Sequence, residues 1–439
     1  MKVLILTYTY PPATSVNGQR PYYFAKALKD SGHTVEVLTR HFTGHEKWDE
    51  YNTENLTPFA ISKEEGIMVY RTPFKNTWFD YYSYAILKNT GLWKWMYLIQ
   101  LAIGRTTQES YNHWFKKYLN NILANGVDLV LVESGPTNLV ILASKMCSIN
   151  SIPYCIDFRD VYYHEMLWKG SLSWNKRLKI YFEKRYMAAS IRKATLVIGE
   201  SKQKLNVIKV PKHKSYVIHN GYDEELWASG EVPPNNAQPF TILVAGRLYA
   251  KPFLEILLNS FAEFITYGYH DILIRFLAPG DTEVINRINH KLEPRYLEII
   301  PERVSAAEAI SYMKSAHVLA YHGWQNYTGV YSTKIYDYIR SGKRILICPT
   351  DSDVMEELLS PLPGCHLTSD SREAAKVLQS IYTQWKANHL MDVDRNHTEA
   401  SPAMETSTSC SIYEFSRQYQ SKKIVGILEN AVRKQRNTI

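Results

Sequence analysis

The chain alternates short, uncharged apolar runs with segments of helical periodicity, and it does so twice. Continuous apolar runs of this length predict strands that are buried on both faces, and strands that alternate with helices predict a parallel sheet. With 439 residues the chain is too long for one ordinary core and suits two domains of roughly 200 residues each. The predicted fold class is therefore α/β, with two tandem Rossmann-like, doubly wound domains that face each other across a cleft. The predicted strands are Lys2–Thr7, Thr34–Thr39, Asp128–Glu133, Pro153–Asp157 and Thr195–Gly199 in the first half, and Phe240–Ala245, Ile272–Leu277, Leu297–Ile300, His317–Tyr321 and Arg344–Ile347 in the second.

Two polar stretches divide the chain. The segment Asp223–Gln238 (DEELWASGEVPPNNAQ) is polar, contains Pro-Pro and is typical of an interdomain connector, while Asn388–Ser411 is rich in Ser, Thr and Asp. Helical periodicity returns at Ile412–Arg436. We therefore predict two domains, over 1–215 and 216–410, followed by a helical segment over 411–439.

Charge and cysteine content restrict the partners and the compartment. The formal net charge of +8 favours anionic partners such as phosphates or an acidic membrane surface, but the basic residues are scattered, which disfavours nucleic acid. The five cysteines are odd in number and lack paired metal-ligand spacing, and neither a signal peptide nor a long apolar span is recognisable. We expect a cytoplasmic protein without a bound metal or cofactor, associated in one interpretation with the inner face of the membrane.

The first loop with chemical character follows the first predicted strand. Tyr10-Pro11-Pro12 is followed by Gly18 near the start of a helix. A glycine allows close approach of a ligand, and a helix N-terminus offers free amides to an anion. The loop predicts contact with a phosphate or a sugar, and an ordinary strand-to-helix turn is the equally weighted alternative.

A second candidate site opens the second half of the chain. The buried run Phe240–Ala245 is followed by Gly246, and two cations, Arg247 and Lys251, lie on the next loop. Arginine can donate to two phosphate oxygens at once, and lysine acts as a point charge. The pair suits a diphosphate, with a solvated loop as the alternative.

The third candidate site is the segment Gly329–Gly342 (GVYSTKIYDYIRSG), in which a loop with Gly329, Ser332 and Thr333 leads into a helix. Asp337 follows one helical turn later, where a carboxylate can bind a ribose diol, as an acidic residue does in dinucleotide-binding folds. The alternative is a tyrosine-rich helix with an N-cap.

A fourth cluster of charges ends a strand of the first half. Ile156–Asp160 (IDFRD) contains Arg159 and Asp160 beside one phenylalanine. Charges at the end of a strand predict a functional site, and a structural Arg–Asp pair that braces the loop is the alternative.

Taken together, these motifs resemble the GT-B glycosyltransferases, specifically the large retaining, family 4-like group that contains bacterial polysaccharide and lipid-linked glycan transferases. The resemblance extends over nearly the whole chain. It implies that 1–215 is an N-terminal acceptor domain, that 216–410 is a nucleotide-sugar domain, and that 411–439 is a closing helix that returns to the first domain. It depends on five motifs in the same order, namely Tyr10-Pro11-Pro12 with Gly18, Ser31–Val35, Val217–Asp223, Gly246-Arg247-Leu248 with Lys251, and Tyr331–Gly342.

The resemblance implies transfer of a sugar from a nucleotide-sugar donor to a glycan or polyprenyl-linked acceptor, with retention at the anomeric carbon, in cell-surface polysaccharide synthesis. In such enzymes Arg247 and Lys251 neutralise the donor diphosphate as negative charge develops there, Asp337 binds the ribose, and no metal is needed. Arg247, Lys251, Arg159 and Asp160 are the catalytic candidates. The implied donor contacts are Gly18, Gly246, Gly329, Ser332, Thr333, Lys334 and Asp337.

The chain departs from the family pattern at two positions. The family commonly has two glutamates eight positions apart, and here Asp337 stands at the second while Gly329 stands at the first, so that backbone groups or Asn326 or Thr328 must hold the sugar. Arg159 stands where many members have a histidine. Because arginine stays protonated, it is interpreted as a phosphate or sugar clamp, with Asp160 either orienting it or contacting the acceptor.

Two questions stay open at this level. The aromatic region Trp78–Arg105 suits either a membrane or acceptor-lipid contact or a buried helical hairpin. The alternatives to a transferase are a nucleotide-sugar epimerase of the same fold and a non-catalytic nucleotide-sugar-binding partner subunit, the latter because of the missing glutamate.

Overall fold

The computed structural model describes residues 1–13, 16–43, 55–75, 95, 109–135, 137–159, 164–229, 239–394 and 412–436. The chain forms two compact units, of which the first contains Met1–Asn220 together with Gln418–Ile439 and the second contains Gly221–Arg417. The predicted region Trp78–Arg105 lies outside the described residues, apart from Trp95.

The first unit is built on an eight-stranded sheet in the order β3-β4-β2-β1-β5-β6-β7-β8. All its pairings are parallel except that of β3 with β4, which form an antiparallel hairpin at one edge. The strands are β1 (Lys2–Leu6), β2 (Thr34–Arg40), β3 (Ala60–Glu64), β4 (Ile67–Thr72), β5 (Leu129–Glu133), β6 (Tyr154–Phe158), β7 (Leu196–Gly199) and β8 (Ser215–Val217). The helices are α1 (Val16–Asp30), α2 (Glu109–Ala124), α3 (Thr137–Ile149), α4 (Trp174–Lys193) and α5 (Lys202–Val207), with 3₁₀ turns at His164–Leu167 and Lys212–Lys214.

The second unit contains a six-stranded parallel sheet in the order β11-β10-β9-β12-β13-β14. The strands are β9 (Phe240–Ala245), β10 (Ile272–Leu277), β11 (Leu297–Ile300), β12 (Val318–Tyr321), β13 (Arg344–Ile347) and β14 (Cys365–Leu367). The helices are α6 (Glu224–Ser229), α7 (Pro252–Ile265), α8 (Thr282–Lys291), α9 (Ala306–Ser315), α10 (Lys334–Ser341), α11 (Val354–Leu359) and α12 (Ser371–Asp394), with a 3₁₀ turn at Pro294–Tyr296.

Local sequence explains where several of these elements begin and end. All six residues of β9 are buried, which the uncharged run FTILVA predicts. Helix α9 begins at a capping box, in which Ser305 and Glu308 each satisfy a backbone amide at the helix start. Helix α10 ends at Gly342, whose φ of 65° is a left-handed conformation that glycine adopts without strain.

Each sheet reverses its strand order once. In the first sheet the reversal lies between β1 and β5, and in the second it lies between β9 and β12. Ligands of doubly wound folds bind beyond the carboxyl ends of the strands at such a switch point. The loops after β1, β5, β9 and β12 are therefore the positions at which binding residues are expected.

The C-terminal helix α13 (Arg417–Arg436) belongs to the first unit. Its residues Ile424 and Leu428 are fully buried in the same apolar cluster as Val3 and Ile5 of β1. The last helix therefore completes the core that the first strand begins.

The structure also corrects two details of the expected organisation. The sheet of the first unit is not wholly parallel, because the β3–β4 hairpin adds an antiparallel edge. The predicted connector Asp223–Gln238 contains helix α6, whose Trp227 is buried in the core of the second unit. Part of this polar segment therefore packs on the core of the second unit through Trp227, whereas its composition predicted a connector.

Candidate active site

Gly246 directly follows strand β9 at the switch point of the second sheet. Its backbone is left-handed, with φ of 89°, and a Cβ atom placed on it would collide with the end of the Lys334 side chain. Lys334 is the first residue of α10, which follows β12. The absence of a side chain at Gly246 therefore lets the ammonium of Lys334 lie against the end of β9.

Arg247 and Lys251 occupy the loop between β9 and α7. Both side chains are exposed, and neither forms an ion pair with a residue that the structure describes. The loop itself is fixed, because the hydroxyl of Tyr321 donates to the carbonyl oxygen of Arg247 at 3.0 Å and the amide of Leu248 donates to the carbonyl oxygen of Pro279 at 2.7 Å. Two uncommitted cations on a fixed loop are suited to binding an anion.

Lys334 supplies a third cation to this edge of the sheet. Burial, with the nearby positive charge of Arg303, lowers the pKa of Lys334 to about 8, although Asp337 acts in the opposite direction. Its ammonium makes no hydrogen bond or ion pair among the described parts of the chain. Because burial and Arg303 disfavour the charged form of Lys334, a bound anion would stabilise that form.

Arg303 is a member of this group that the sequence did not indicate. It follows β11 and is exposed, and its charge is felt by Lys334. No motif marked it, since it lies in a polar loop (PERVS) that resembles any surface segment.

Asp337 lies one turn into α10, as its position in the sequence predicts. Burial raises the pKa of its carboxyl, and the hydrogen bond from Trp227 partly opposes that effect. The indole Nε1 of Trp227 donates to Oδ1 at 2.9 Å. Within the described residues no hydrogen bond reaches Oδ2 of Asp337, and binding of a ribose by this oxygen stays a prediction.

The loop before α10 is held by side chains of the next loop in the sheet. The amide of Gly329, whose φ is 70°, donates to Oδ2 of Asp353 at 2.7 Å. The amide of Lys334 faces the hydroxyl of Ser332 at 3.4 Å, and Thr333 precedes the helix without a side-chain cap. The Gly329 amide is thus engaged within the protein, so that Ser332, Thr333 and the start of α10 remain as the backbone candidates for a phosphate.

Arg159 lies in the first unit, directly after β6. Its Nε is 3.9 Å from Oε1 of Glu133 at the end of β5, and its carbonyl oxygen accepts a hydrogen bond from Lys204 at 3.4 Å. Asp160, which the sequence paired with Arg159, lies outside the described residues. The acidic partner that the structure gives to Arg159 is therefore Glu133.

Glu133 occupies the switch point of the first sheet and was not singled out by the sequence. It is buried; the hydroxyl of Thr7, which follows β1, donates to its Oε2. Burial raises the pKa of Glu133 to about 7, and the charge of Arg159 only partly counteracts it. The signal that could have found it is the acidic residue that ends the otherwise apolar run DLVLV.

Asp157 forms the structural Arg–Asp pair that was the alternative for this segment, but its partner is Arg20. The two side chains make hydrogen bonds of 2.7 and 2.9 Å, and both are buried. Arg20 also donates to the carbonyl oxygens of Ile218 and His219. Arg20 therefore links helix α1 to strand β6 and to the segment that follows β8, at the end of the first unit.

Gly18 lies in the first turn of α1 and is buried. A Cβ atom on it would meet Thr9 and Tyr10 at 3.5 Å, which is an ordinary contact. Its position beside the loop after β1 is as predicted, but its neighbours would accommodate a larger residue.

The described residues were searched for metal-ligand clusters and for membrane-spanning helices. They include no cluster of three or more His, Cys, Asp or Glu side chains arranged to hold a metal ion. Among their helices, none combines the length and the apolar character that crossing a membrane requires.

Among known proteins, only solved structures are similar to this chain, and they establish its fold. No protein-family model and no curated protein matches the sequence. Solved structures match over the whole chain: a glycosyltransferase from Rickettsia africae is 15% identical, with 98% of this chain and 99% of that chain covered and a TM-score of 0.59. A UDP-forming α,α-trehalose-phosphate synthase from Burkholderia vietnamiensis is 12% identical over 98% and 99% of the two chains, with a TM-score of 0.58. Anabaena HepE in complex with UDP and glucose is 13% identical over 98% and 99%, with a TM-score of 0.56.

The chain therefore has the two-domain α/β fold of these proteins, the GT-B fold. The fold class predicted from the sequence is confirmed. At these identities the likeness establishes the fold and leaves activity to be argued from the site.

Proposed function

We propose that this chain is a glycosyltransferase that moves a sugar from a nucleotide-sugar donor to a glycan or polyprenyl-linked acceptor. The observation that carries the proposal is the group of cations at the switch point of the second sheet. Arg247 and Lys251 are exposed and uncommitted, and Lys334 lies against Gly246 with a depressed pKa. A diphosphate is the anion of matching charge, and HepE, a solved structure with this fold, is in complex with UDP and glucose.

The chemistry follows from the charge of the leaving group. As the bond between the anomeric carbon and the phosphate oxygen breaks, its electron pair passes to the diphosphate, and the three cations stabilise that charge most where it is greatest. The new bond forms from the acceptor hydroxyl, whose proton passes to an oxygen of the departing phosphate. Because protein cations supply the positive charge, we propose that no metal is required, and turnover in the presence of EDTA tests this.

Retention at the anomeric carbon and a role in cell-surface polysaccharide synthesis are proposed on the sequence resemblance. NMR of the first product formed from a donor of known configuration tests retention. A product of opposite configuration would contradict that part of the proposal without affecting the diphosphate site.

The acceptor is proposed to bind at the switch point of the first sheet. Arg159 is half-buried there and is flanked by Glu133, and a guanidinium cannot act as a base at neutral pH. Its proposed role is to clamp a phosphate or hydroxyl of the acceptor. The two single variants Arg159→Lys and Arg159→Ala test this role, since a clamp that needs the planar guanidinium loses acceptor affinity in both.

Contact with an anionic membrane is proposed for helix α4. Trp174 and Tyr181 are 61% and 58% exposed, and the ring of Trp174 is 5.8 Å from that of Trp95. The exposed side chains on this face are aromatic or basic, whereas the one acid of the helix, Glu183, is buried. Aromatic and basic residues together favour the headgroup region of an acidic bilayer. The exposed residues of the face, at helical spacing, are Trp174, Arg177, Tyr181, Arg185 and Arg192.

Sedimentation with vesicles tests the membrane contact. Binding to vesicles that contain phosphatidylglycerol is expected, with little binding to vesicles of phosphatidylcholine alone. The change of Arg177, Arg185 and Arg192 to Gln should lower the affinity for these vesicles roughly 100-fold, since each basic residue near the surface contributes about 1 kcal/mol. Unchanged binding in this variant would remove α4 from the proposal.

The central experiment measures release of nucleoside diphosphate with and without acceptor. Arg247→Ala and Lys251→Ala are each expected to lower kcat roughly 10²–10³-fold, the usual cost of one group that stabilises developing charge. Arg295→Ala is the matched control, because Arg295 is an exposed arginine of the same unit that pairs with the surface residue Glu293 and lies over the ring of Tyr296. Turnover at the wild-type rate in both site variants would refute the diphosphate site.

The same assay separates the two alternatives. Conversion of the donor to its epimer without release of nucleoside diphosphate would identify an epimerase. Tight donor binding without turnover across a panel of acceptors would identify a non-catalytic subunit.

A further inference from the structure

Helix α6 is tied to two other helices of the second unit. The guanidinium of Arg340, in α10, donates to both carboxylate oxygens of Glu224 at 2.6 and 3.0 Å. The ammonium of Lys314, in α9, donates to the carbonyl oxygen of Trp227 at 3.0 Å. An arginine–carboxylate pair with two bonds fixes orientation as well as distance. Helix α6 is therefore held in place at its first residue and at Trp227.

The indole of Trp227 is held in one orientation. Trp227 is 3% exposed, and the ammonium of Lys314 and the guanidinium of Arg340 lie 5.7 and 5.8 Å from the centre of its ring. Cations at such distances are attracted to the face of an indole. Because burial and the two cations leave the ring little freedom to turn, its N–H has a fixed direction.

This N–H is directed at Asp337. Nε1 donates to Oδ1 at 2.9 Å, and within the described residues no hydrogen bond reaches Oδ2. An indole nitrogen can only donate, so Oδ1 is an acceptor whether or not the carboxyl carries a proton. The carboxyl therefore has one oxygen engaged by the protein and one left for a ligand.

Asp337 lies on the same side of α10 as Lys334. It follows Lys334 by three residues, and positions three apart are neighbours on the surface of a helix. Burial raises the pKa of Asp337 and lowers that of Lys334, and the charge of each group opposes this effect on the other. Lys334 in turn lies against Gly246. A nucleotide whose diphosphate is bound by the cations of the second unit therefore has its ribose within reach of Asp337.

We propose that Trp227 is a positioning residue that holds Asp337 in place for the 2′-hydroxyl of a ribose, so that the donor is the sugar conjugate of a ribonucleoside diphosphate and not of a deoxyribonucleoside diphosphate. The inference rests on the proposed function and names the class of its donor. In dinucleotide-binding folds an acidic residue binds this hydroxyl. A deoxyribose would leave Oδ2 of the half-buried Asp337 without a partner, and an unpaired charged group costs more than an ordinary hydrogen bond gains.

The test compares ribonucleotides with their 2′-deoxy forms in calorimetry. The probes are UDP, GDP and ADP, each with its 2′-deoxy form, and dTDP. For the base that the wild-type protein binds, we expect the ribonucleotide to bind about tenfold more tightly, as for one hydrogen bond to a charged group. Trp227→Phe keeps an aromatic ring and removes the N–H. It should weaken binding of the ribonucleotide about fivefold and of the deoxynucleotide less than about twofold, so that most of the preference is lost.

Trp385→Phe is the matched control. Trp385 is a half-buried tryptophan of the same unit, and its ring lies 5.4 Å from that of Phe240. Phe240 begins β9, so this contact lies at the other end of the strand from Gly246. The smaller ring should lower the melting temperature and leave both nucleotide affinities unchanged.

Two further variants show whether Trp227 acts through Asp337. Lys314→Met removes the bond to the carbonyl oxygen of Trp227 and keeps the indole, so it serves if Trp227→Phe does not fold. It should give a smaller loss that is again confined to the ribonucleotide. In an Asp337→Ala background, adding Trp227→Phe should change the ribonucleotide affinity less than about twofold, because residues that act through one contact are not additive.

Three results would overturn the inference and leave the diphosphate site standing. The first is a wild-type protein that binds a deoxynucleotide as tightly as the ribonucleotide, or more tightly. The second is an equal loss for both nucleotides in Trp227→Phe, which would make Trp227 a purely structural residue. The third is a loss in Trp227→Phe that persists in full in the Asp337→Ala background. If the wild-type protein binds none of the probes, the proposed function fails and this inference fails with it.

Discussion

The ammonium of Lys334 lies against Gly246, in space that a side chain at position 246 would fill. The two residues are far apart in sequence, but Gly246 follows β9, Lys334 begins the helix after β12, and these two strands are neighbours in the sheet. The glycine therefore has two tasks at once: it adopts a left-handed backbone and it leaves room for a cation.

Gly246→Ala should separate these two tasks. A non-glycine residue in this conformation costs roughly 1–2 kcal/mol of folding free energy, and its methyl group would also displace Lys334. Gly268→Ala is the matched control, because Gly268 has φ of 81° with nothing within 4 Å of its Cβ position. We expect similar losses in melting temperature for both variants, and weaker nucleotide binding for Gly246→Ala alone. Equal nucleotide affinities would show that the position of Lys334 is irrelevant to binding.

Nucleotide binding should take up a proton near pH 8. The pKa of Lys334 is about 8 in the free protein, so about half of the molecules are neutral there at that pH, and a bound diphosphate favours the charged form. Calorimetry in buffers of different ionisation enthalpy should give an uptake of up to about 0.5 proton per site at pH 8, falling to about 0.1 at pH 7. Lys334→Met should abolish this uptake. An uptake that persists in Lys334→Met would assign the proton to another group.

The same depressed pKa has a consequence for folding. An unfolded lysine titrates near 10.5, so the folded, ligand-free protein binds fewer protons than the unfolded chain between about pH 8 and 10.5. Below pH 8, Lys334 therefore lowers the free energy of unfolding. This loss becomes smaller as the pH rises from about 8 to 10.5.

Glu133 is expected to destabilise the fold as the pH rises. Its pKa is about 7 in the folded protein and 4.5 in the reference state, so the folded state holds the proton more tightly and loses stability between about pH 4.5 and 7. A shift of this size corresponds to about 3 kcal/mol as an upper limit. Glu133→Gln can still accept the hydrogen bond of Thr7, and its melting temperature should rise relative to wild type between pH 5 and pH 8.

Glu302→Gln is the control for Glu133, since Glu302 is exposed in a loop of the second unit. It should show the same pH dependence as the wild-type protein. If Glu133→Gln also follows the wild-type curve, the carboxyl of Glu133 is ionised in the folded protein throughout this range.

Asp337→Asn should weaken nucleotide binding more than it weakens folding. The amide oxygen can accept the hydrogen bond of Trp227, so the packing of α6 is kept, while the charge that would hold the ribose is lost. We expect nucleotide affinity to fall about tenfold, as for loss of one charge-assisted hydrogen bond, with little change in melting temperature. A collapse of the melting curve with nucleotide affinity preserved would make Asp337 a structural residue.

Strands with a strong apolar run could be predicted from the sequence, and weak ones could not. The bounds of β9, β10, β11 and β13 agree with those expected from runs such as FTILVA. The hairpin strand β3 was missed because it is an edge strand with mostly exposed residues, and β14 because it has only three residues. An exposed edge strand lacks the apolar pattern from which buried strands are recognised.

The candidate site shows the same limit. Arg247, Lys251 and Asp337 could be predicted as candidates because each lies near a strand or helix boundary in the sequence. Trp227 and Asp337 are 110 positions apart, and Thr7 and Glu133 are 126 apart. Such partners meet only once the sheets have formed, and no local pattern marks them.

The packing of α13 against β1 also sets an order of events during synthesis. The core of the first unit contains Ile424 and Leu428, so a nascent chain that has emerged only as far as Arg417 has an apolar gap beside Val3 and Ile5. The second unit is continuous in sequence and has all of its strands by then. The first unit, most of which leaves the ribosome first, is therefore completed last. Until α13 has been synthesised, chaperones would find an exposed apolar surface beside β1 to bind.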